Sequence, residues 1–528
     1  MPSPPPPPRS YRLLPQLLAG LMGSSGGFMQ GMLIGYSPVG LASLKLDPNP
    51  PFYLSDIQQA LFGSLIWLSA AVSVLVAGPL TARFGRKKII IACCVISYIG
   101  WLLMSFPPNV SIFLVGRVVT GFTGLCLPVC QLYLGEIAHK DIRGLLSSGT
   151  MIFLTFGTLL NYVLGTYINW RTLGVFNAAF FLIVLPLFVI LPESPIWLLT
   201  KNRTEEAKMA YRWLRGPTYN IDAEIKEVTT HMETFLQKFT IKEIFRWAYL
   251  KPVFVLTTLL CLRMATGVYV VFNYTIDIFK SAEIKIDLYI ATILVGVVQF
   301  VFAIVSAFLM DRLGRKNLSI ASAFIMGICY TVIGAYHYLN FLQHPVADQI
   351  RWLPVVAVLL CIASFAGGLA NSFFVLLTEM IPIRIKSIAA GIIVCIGTMA
   401  NFAIVQAFPT MRIAMWDHGV FWFYAAVCFV LAAFCTFYLV ETKGQSLSAL
   451  ERKLTSANIL AKENPAFEME ISASNLAKHN SAFEMEINAS NLAKQNSALE
   501  MTINASKMAK ENSAFEMETN AINQTKEN

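Results

Sequence analysis

Long apolar runs alternate with short polar segments along most of the chain. Twelve of these runs are long enough to cross about 30 Å of hydrocarbon. They lie near residues 13–36, 57–80, 88–106, 111–135, 145–168, 172–191, 252–276, 288–310, 317–339, 353–378, 387–408 and 419–440. Six precede and six follow one hydrophilic stretch. The pattern predicts an all-α membrane protein with twelve transmembrane helices arranged as two six-helix halves.

The same pattern divides the chain into five regions. They are a Pro-rich cytoplasmic N-terminus at 1–12, an N-terminal half at 13–191, a cytoplasmic helical loop at 192–251, a C-terminal half at 252–440 and a cytoplasmic tail at 441–528. Within the loop, EEAKMAYRWLRG and DAEIKEVTTHMETFLQKF place apolar residues at helical spacing opposite charged ones. Such spacing predicts short amphipathic helices.

The amino-acid composition is also typical of an integral membrane protein. The 528 residues are 56% hydrophobic and 13% charged, whereas soluble proteins carry about 25% charged residues. This excludes a soluble multidomain enzyme and makes the lipid bilayer one expected partner. No basic patch interleaved with aromatic residues indicates nucleic acid as another.

The distribution of positive charge predicts the orientation. Residues 441–528 hold nine Lys and Arg against twelve Glu, a net charge of −3, so residues 1–440 carry +12 and the whole chain +9. The loops at 81–87, 136–144, 311–316 and 379–386 are richer in Lys and Arg than the loops on the other side. Basic loops remain in the cytoplasm. We therefore expect both termini and the central loop to be cytoplasmic, with the protein in the plasma membrane.

The ten cysteines all lie inside apolar segments. Cysteines in such positions behave as small buried hydrophobes. The sequence therefore predicts neither a disulfide framework nor a Cys/His metal site, and no cofactor is expected.

Three pairs of polar motifs recur in the same order in the two halves. RFGRKK at 83–88 corresponds to RLGRKN at 312–317, and PESP at 192–195 corresponds to VETKG at 440–444. Between them, Glu136 with Arg143 corresponds to Glu379 with Arg384. A duplicated six-helix unit is typical of a carrier whose halves rock about a central site.

These motifs place carboxylates and guanidinium groups at helix ends and suggest an inner gate. Its predicted members are Arg86, Glu136, Arg143, Glu193, Arg315, Glu379, Arg384 and Glu441. The pairs are expected to form across neighbouring helices only while the inner faces of the halves are together. Such pairs are individually weak, but a set made in one state biases a two-state equilibrium. Alternatively, the basic residues only maintain topology.

A larger set of motifs resembles one known family. The set is GRVVTG at 116–121, PVCQLYLGE at 128–136, NWR at 169–171, PESPIWLL at 192–199, DRLGRK at 311–316 and VETKG at 440–444. Together they resemble the sugar porter family of the major facilitator superfamily. Within it, YTIDIFK at 274–280, RWLRG at 212–216 and ILVGVVQF at 293–300 are most similar to insect facilitated trehalose transporters. The resemblance implies the major facilitator fold and transport of a small sugar such as a hexose or trehalose.

The resemblance also implies which residues face the solute, and several depart from the family pattern. Arg263, Met264 and Tyr269 replace three amides in the seventh span. In the tenth span the family's Pro-x-Pro-Trp is replaced by NSFF, which predicts the loss of a helix break and places Phe374 where an indole would stack. The full predicted set is Tyr162, Arg263, Thr266, Tyr269, Tyr274, Gln299, Asn371 and Phe374.

Arg263 lies near mid-bilayer, with no acidic residue at comparable depth in any span. A charge there costs about 2.5–3.5 kcal/mol or more unless it is paired or faces water. Two interpretations stay open. Either Arg263 faces the central cavity and attracts an anionic or strongly hydrogen-bonding solute, or it snorkels or bonds helix carbonyls with help from Asn371 or Asn401.

The favoured function is facilitative transport without energy coupling. Proton-coupled relatives carry an Asp after Gly-Tyr in the first span, whereas Gly35-Tyr36 here precedes Ser37. Arg117, in the family's Gly-Arg motif, is expected to orient helices. Two alternatives are a non-transporting solute sensor and an organic-anion carrier that uses Arg263.

The tail carries four copies of one unit at a period of 16 residues, beginning with AFEMEI at 466–471. Apolar positions at this period form no continuous helical face, and the Asn, Ser, Lys and Glu content favours disorder. Two interpretations are a docking segment for a cytoplasmic partner and neutral repeat expansion.

Overall fold

The computed structural model describes residues 13–138, 143–216, 219, 221–235, 247–281, 288–381 and 385–442. These residues form helices and connecting turns. In the first half the helices are α1 (Leu13–Lys45), α2 (Asp56–Phe84), α3 (Arg86–Ser105), α4 (Val110–Gly121), α5 (Cys126–Ile137), α6 (Arg143–Tyr167) and α7 (Trp170–Ile190). A short 3₁₀ segment, Phe122–Leu125, joins α4 to α5.

The loop and the second half continue the helical series. The loop contains α8 (Pro195–Thr200), α9 (Thr204–Arg215) and α10 (Ile221–Phe235). The second half contains α11 (Trp247–Ala265), α12 (Val268–Ser281), α13 (Leu288–Leu313), α14 (Arg315–Phe341), α15 (Pro345–Gln349), α16 (Leu353–Gly367), α17 (Leu369–Met380) and α18 (Lys386–Tyr438). The two amphipathic helices predicted for the loop are confirmed by α9 and α10.

Eleven helical stretches of the described chain are long and apolar enough to span a membrane. The last of them has 51 residues and would be about 76 Å long if straight, more than twice the hydrocarbon thickness. Trp416 interrupts this stretch with φ 58° and ψ 172°. Its two sides, 386–415 and 417–438, are the eleventh and twelfth spans. The predicted twelve-helix fold is confirmed.

Three spans are broken in mid-course. The fourth passes through Phe122–Leu125, and the seventh breaks between α11 and α12 at Gly267, which has φ +73°. The tenth breaks between α16 and α17 at Gly368. NSFF at 371–374 lies within continuous helix, as the lack of proline predicts, but the span still breaks three residues earlier, at Gly368. Consecutive glycines let the chain leave the helix without a proline, and Ser322 Oγ accepts the Leu369 N–H at the break.

A buried arginine helps to attach the central loop to the first half. Arg215, at the end of α9, donates through Nη1 to the carbonyl of Ile137 at 2.8 Å. Its Nη2 donates to Glu224 of α10 at 2.9 Å. The end of the fourth span, α9 and α10 are thereby held together.

The predicted segments 1–12, 236–246 and most of 441–528, with the tail repeats, lie outside the described residues.

Candidate functional site

A cavity of about 950 Å³ lies between the two halves. The first half lines it with residues such as Gln30, Trp67 and Thr155, and the second with Arg263 and Gln299. Most of the remaining lining is apolar. Small-molecule sites combine an apolar wall with a few placed polar groups, so this cavity is the candidate solute site.

The cavity reaches only one end of the bundle. We call this the motif end, because Glu136, Glu193, Glu379 and Glu441 lie there, and Arg86 and Lys201 at this end line the cavity. At the opposite end the halves meet.

Three contacts between the halves define the closure. Lys45 Nζ lies 3.5 Å from Asp277 Oδ1. Ser64 Oγ donates to Gln406 Oε1 at 2.8 Å. The rings of Trp67 and Tyr269 pack edge to face with centroids 4.6 Å apart. The structure is thus a conformation closed at one end and open at the motif end.

Five of the eight predicted solute-binding residues line the cavity: Arg263, Tyr269, Gln299, Asn371 and Phe374. They come from the seventh, eighth and tenth spans. All belong to the second half, so the predicted set covers only one wall of the site.

The other three predicted residues lie outside the cavity lining in this conformation. Tyr162 is fully buried. The Thr266 hydroxyl donates to the carbonyl of Arg263 at 2.7 Å, which satisfies it within the broken seventh span. The Tyr274 ring packs on Phe408 with centroids 4.7 Å apart. The structure therefore does not bring these three side chains to the cavity.

Among the polar residues of the first-half wall that the motifs did not indicate, two have a buried atom without a partner in the described chain. They are Gln30 of the first span and Trp67 of the second. Gln30 Oε1 and Trp67 Nε1 are buried and have no hydrogen-bond partner in the described part of the chain. Isolated polar residues in long apolar helices were the only available signal, and helical periodicity alone did not show which way they face.

Arg263 is 2% exposed and lies among three phenylalanine rings. Its guanidinium carbon is 5.1 Å from the centroid of Phe365, 5.6 Å from Phe373 and 5.9 Å from Phe374. Its Nε and Nη1 atoms make no hydrogen bond to any described residue. These two atoms bond no helix carbonyl and neither Asn371 nor Asn401 in the described chain, and the place of Arg263 in the lining favours the cavity-facing interpretation.

Gln299 is another polar residue of the second-half lining, and its Oε1 is buried with no partner among the residues described. Among the lining side chains, those of Arg263 and Trp67 are donors, and the amides of Gln30, Gln299 and Asn371 both donate and accept. A buried polar group left without a partner costs about 1–3 kcal/mol. The cavity therefore matches a solute that both donates and accepts hydrogen bonds.

Arg117 is also buried, but its guanidinium is fully engaged. Nε donates to the carbonyl of Phe62 at 3.0 Å and Nη1 to that of Leu33 at 3.2 Å. Nη2 donates to Ser37 Oγ. These bonds join the fourth span to the first and second, which confirms the expected role in orienting helices.

At the motif end, the first half forms a compact ionic cluster. Arg86 Nη2 donates to Glu136 Oε1 at 2.6 Å. Glu193 Oε1 accepts the backbone N–H groups of Arg86 and Lys87 at 3.0 and 3.1 Å. These N–H groups begin α3, where a carboxylate is favoured by the helix dipole. Gly85, with φ +93°, makes the turn that aims them.

The second half repeats this cluster. Arg315 Nη2 donates to Glu379 Oε1 at 3.4 Å. Glu441 accepts the N–H groups of Arg315 and Lys316 at 3.0 and 3.1 Å, and Gly314 has φ +84°. The sequence duplication is therefore a duplication of contacts.

Each cluster lies within its own half, and both are formed while the cavity is open at the motif end. Pairing of Arg86 with Glu136 and of Arg315 with Glu379 thus does not require the halves to be together, because both partners belong to the same six-helix unit. Arg143 begins α6, and Arg384 lies outside the described residues. The assignment of the eight residues to an inner gate stays a prediction.

The ten cysteines are free thiols, nine of them buried.

Two six-helix halves around a central cavity define a membrane carrier. The chain belongs to the sugar (and other) transporter family, whose model matches residues 19–454.

Curated relatives include facilitated trehalose transporters of insects. That of Aedes aegypti is 32% identical over 83% of this chain and 55% of its own length. That of Apis mellifera ligustica is 30% identical over 83% of this chain and 88% of its own. The chain thus spans about half of the first relative and most of the second.

Solved structures of the same fold include the proton:xylose symporter XylE bound to 6-bromo-6-deoxy-D-glucose. It has a TM-score of 0.69 at 23% identity, covering 84% of this chain and 100% of its own. The inward-open conformation of XylE from E. coli has a TM-score of 0.69 at 24% identity, covering 83% and 98%. At this identity the likeness establishes the major facilitator fold.

Proposed function

We propose that this protein is a facilitative carrier that moves a sugar across the membrane by alternating access. The observation that carries the proposal is the cavity between the halves, closed at one end and lined by a few polar side chains, donors and acceptors, in an apolar wall. Sugars present many hydroxyl groups, which donate and accept. The relatives named as trehalose transporters support a small sugar such as trehalose or a hexose as the solute.

Transport is uniport in this proposal. The position that carries an Asp in proton-coupled relatives is Ser37, and its hydroxyl accepts from Arg117. The described residues that line the cavity include no Asp or Glu. A proton-coupled step needs a group that titrates during the cycle, and a serine hydroxyl does not.

The proposed orientation places the motif end in the cytoplasm. The basic loops lie at this end, and basic loops remain inside. The conformation is then inward-facing, both termini are cytoplasmic, and the protein belongs to the plasma membrane. Its partners are the solute, the bilayer and a cytoplasmic protein that binds the repeat tail, with no role for nucleic acid.

Uptake into proteoliposomes tests the proposal. Full-length protein should take up labelled trehalose or glucose with saturation, and unlabelled solute preloaded inside should accelerate entry. A protonophore or an imposed pH gradient should leave the rate unchanged. Arg171→Gln, which alters an exposed arginine outside the cavity lining, serves as the control preparation.

Two outcomes would contradict the proposal. Uptake driven by a proton gradient would replace uniport with symport. Solute binding without uptake, measured as a rise in melting temperature in detergent, would make the protein a sensor.

A further inference from the structure

The strongest unexplained feature of the cavity is the charge of Arg263. This side chain is only 2% exposed, lines the cavity, and leaves Nε and Nη1 without a partner in the described chain. A buried charge is costly unless it is paired and hydrogen-bonded. Arg117, equally buried, shows that this fold can satisfy an arginine completely when the role is structural.

The phenylalanine rings around Arg263 explain only part of its stability. Phe365, Phe373 and Phe374 lie within about 6 Å of the guanidinium carbon, the range of cation–π attraction. Ring faces attract the positive charge and help to keep it ionised. They supply no lone pair to the N–H groups. Nε and Nη1 are closed to solvent in this conformation, so a ligand acceptor approaches the guanidinium from the side that lines the cavity.

The charge balance of the cavity indicates the sign of the ligand. Its charged lining residues are Arg86, Lys201 and Arg263, and the described lining contains no acidic residue. Arg86 is neutralised by Glu136 at 2.6 Å. Lys201 lies at the motif end, so Arg263 is the cation left at depth. One uncompensated charge deep in the cavity matches a monoanion.

We propose that Arg263 binds the carboxylate of a sugar acid, a uronate or aldonate, in this cavity. A carboxylate is an acceptor-only group and forms short, charge-assisted bonds with guanidinium. The hydroxyl groups of the sugar frame would meet the polar side chains of Gln30, Trp67 and Gln299 on the same lining. The inference narrows the solute class of the proposed carrier and rests on that function for transport, but not for binding.

Uptake of labelled D-glucuronate and D-glucose by proteoliposomes separates the two solutes. Wild-type protein should take up glucuronate, faster when a potassium gradient with valinomycin makes the interior positive. In Arg263→Gln the KM for glucuronate should rise by about 30-fold or more, as for loss of one partner from a buried charge pair. The KM for glucose should rise much less, by about tenfold at most, since a neutral sugar hydroxyl loses only one ordinary hydrogen bond.

Arg171→Gln is the matched control, since it removes an exposed arginine outside the lining and should leave both KM values unchanged. A purely structural role for Arg263 would instead lower uptake of both solutes together, and this result would overturn the inference.

A binding measurement distinguishes failure of the inference from failure of the transport proposal. In detergent, glucuronate should raise the melting temperature of the wild type but not of Arg263→Gln, with sodium chloride and glucose 6-phosphate as comparison anions. If glucuronate binds in this way but is not taken up, the inference on Arg263 stands and the proposed transport function is excluded. If glucose is taken up while glucuronate is neither taken up nor inhibits glucose uptake, the inference is overturned and the transport proposal stands. If glucose 6-phosphate raises the melting temperature more than glucuronate does, the site binds a dianion.

Discussion

Two buried arginines show how one residue type serves opposite purposes in this bundle. Arg117 donates to two backbone carbonyls and a hydroxyl on neighbouring spans. Arg263 faces a cavity with two nitrogen atoms unpartnered in the described chain. Both were visible in the sequence as charges inside apolar runs, but only their contacts separate a structural arginine from a ligand-binding one.

Replacing Arg117 should destabilise the protein. In Arg117→Met, the carbonyls of Phe62 and Leu33 and the Ser37 hydroxyl lose a charged donor, and each such hydrogen bond contributes about 1.5–3 kcal/mol. We expect a lower melting temperature in detergent and a smaller yield of folded protein. A melting temperature equal to that of the wild type would show that these contacts do not hold the three spans together.

Replacing Arg263 should have the opposite effect on the protein without solute. Arg263→Met removes an unpaired buried cation from a cage of phenylalanine rings, and replacing buried charges with apolar residues is often neutral or stabilising by about 1–4 kcal/mol. The melting temperature should be unchanged or higher. A clear decrease would mean that Arg263 supports the fold, and would favour the carbonyl-bonding interpretation of the sequence.

Among the elements, the pairing of the first and fifth spans is the closest. Gly27 and Gly31 of the first span face Thr150 and Leu154 of the fifth, one helical turn apart in each helix. A Cβ atom at these glycines would lie 2.0 Å from the Thr150 carbonyl oxygen and 1.9 Å from that of Leu154. Small residues spaced four apart let membrane helices approach backbone to backbone.

Gly31→Ala should therefore separate these two spans. Its methyl group meets a backbone oxygen, which cannot rotate away as a side chain could, so we expect a lower melting temperature and reduced uptake. Gly135→Ala is the control, because a Cβ there has no neighbour within 4 Å and alanine is the better helix former. Equal effects of the two substitutions would contradict the close-packing account.

Helix positions could be predicted from the sequence more fully than the site. Span length and the paired motifs predicted the twelve helices and their order in two halves. Gln30 and Trp67 were missed because a single polar residue does not reveal which face of an apolar helix lines a cavity. Tyr162 and Tyr274 were misplaced for the same reason, since helix rotation is set by packing between spans.

At the scale of the whole carrier, the end opposite the motifs is the part that must move for solute to cross. It is closed by contacts between halves, including the ion pair of Lys45 with Asp277 at 3.5 Å. The two side chains are 45% and 40% exposed, so the pair itself contributes little, about 0–1 kcal/mol. The pair nevertheless marks a position at which the two halves lie close enough to be crosslinked.

Joining the halves at this position should stop transport. In a Cys261→Ser background, which removes the cysteine that is not fully buried, Lys45→Cys with Asp277→Cys can be linked by a short bismaleimide. Alternating access requires this end to open, so the linked protein should lose uptake. Solute should still raise its melting temperature, because it can enter through the open motif end.

Asp348→Cys with Arg351→Cys provides the control, because these residues pair at 2.6 Å within one loop of the second half. That link should leave uptake intact, and continued uptake by protein fully linked between the two halves would exclude their rocking as the transport mechanism.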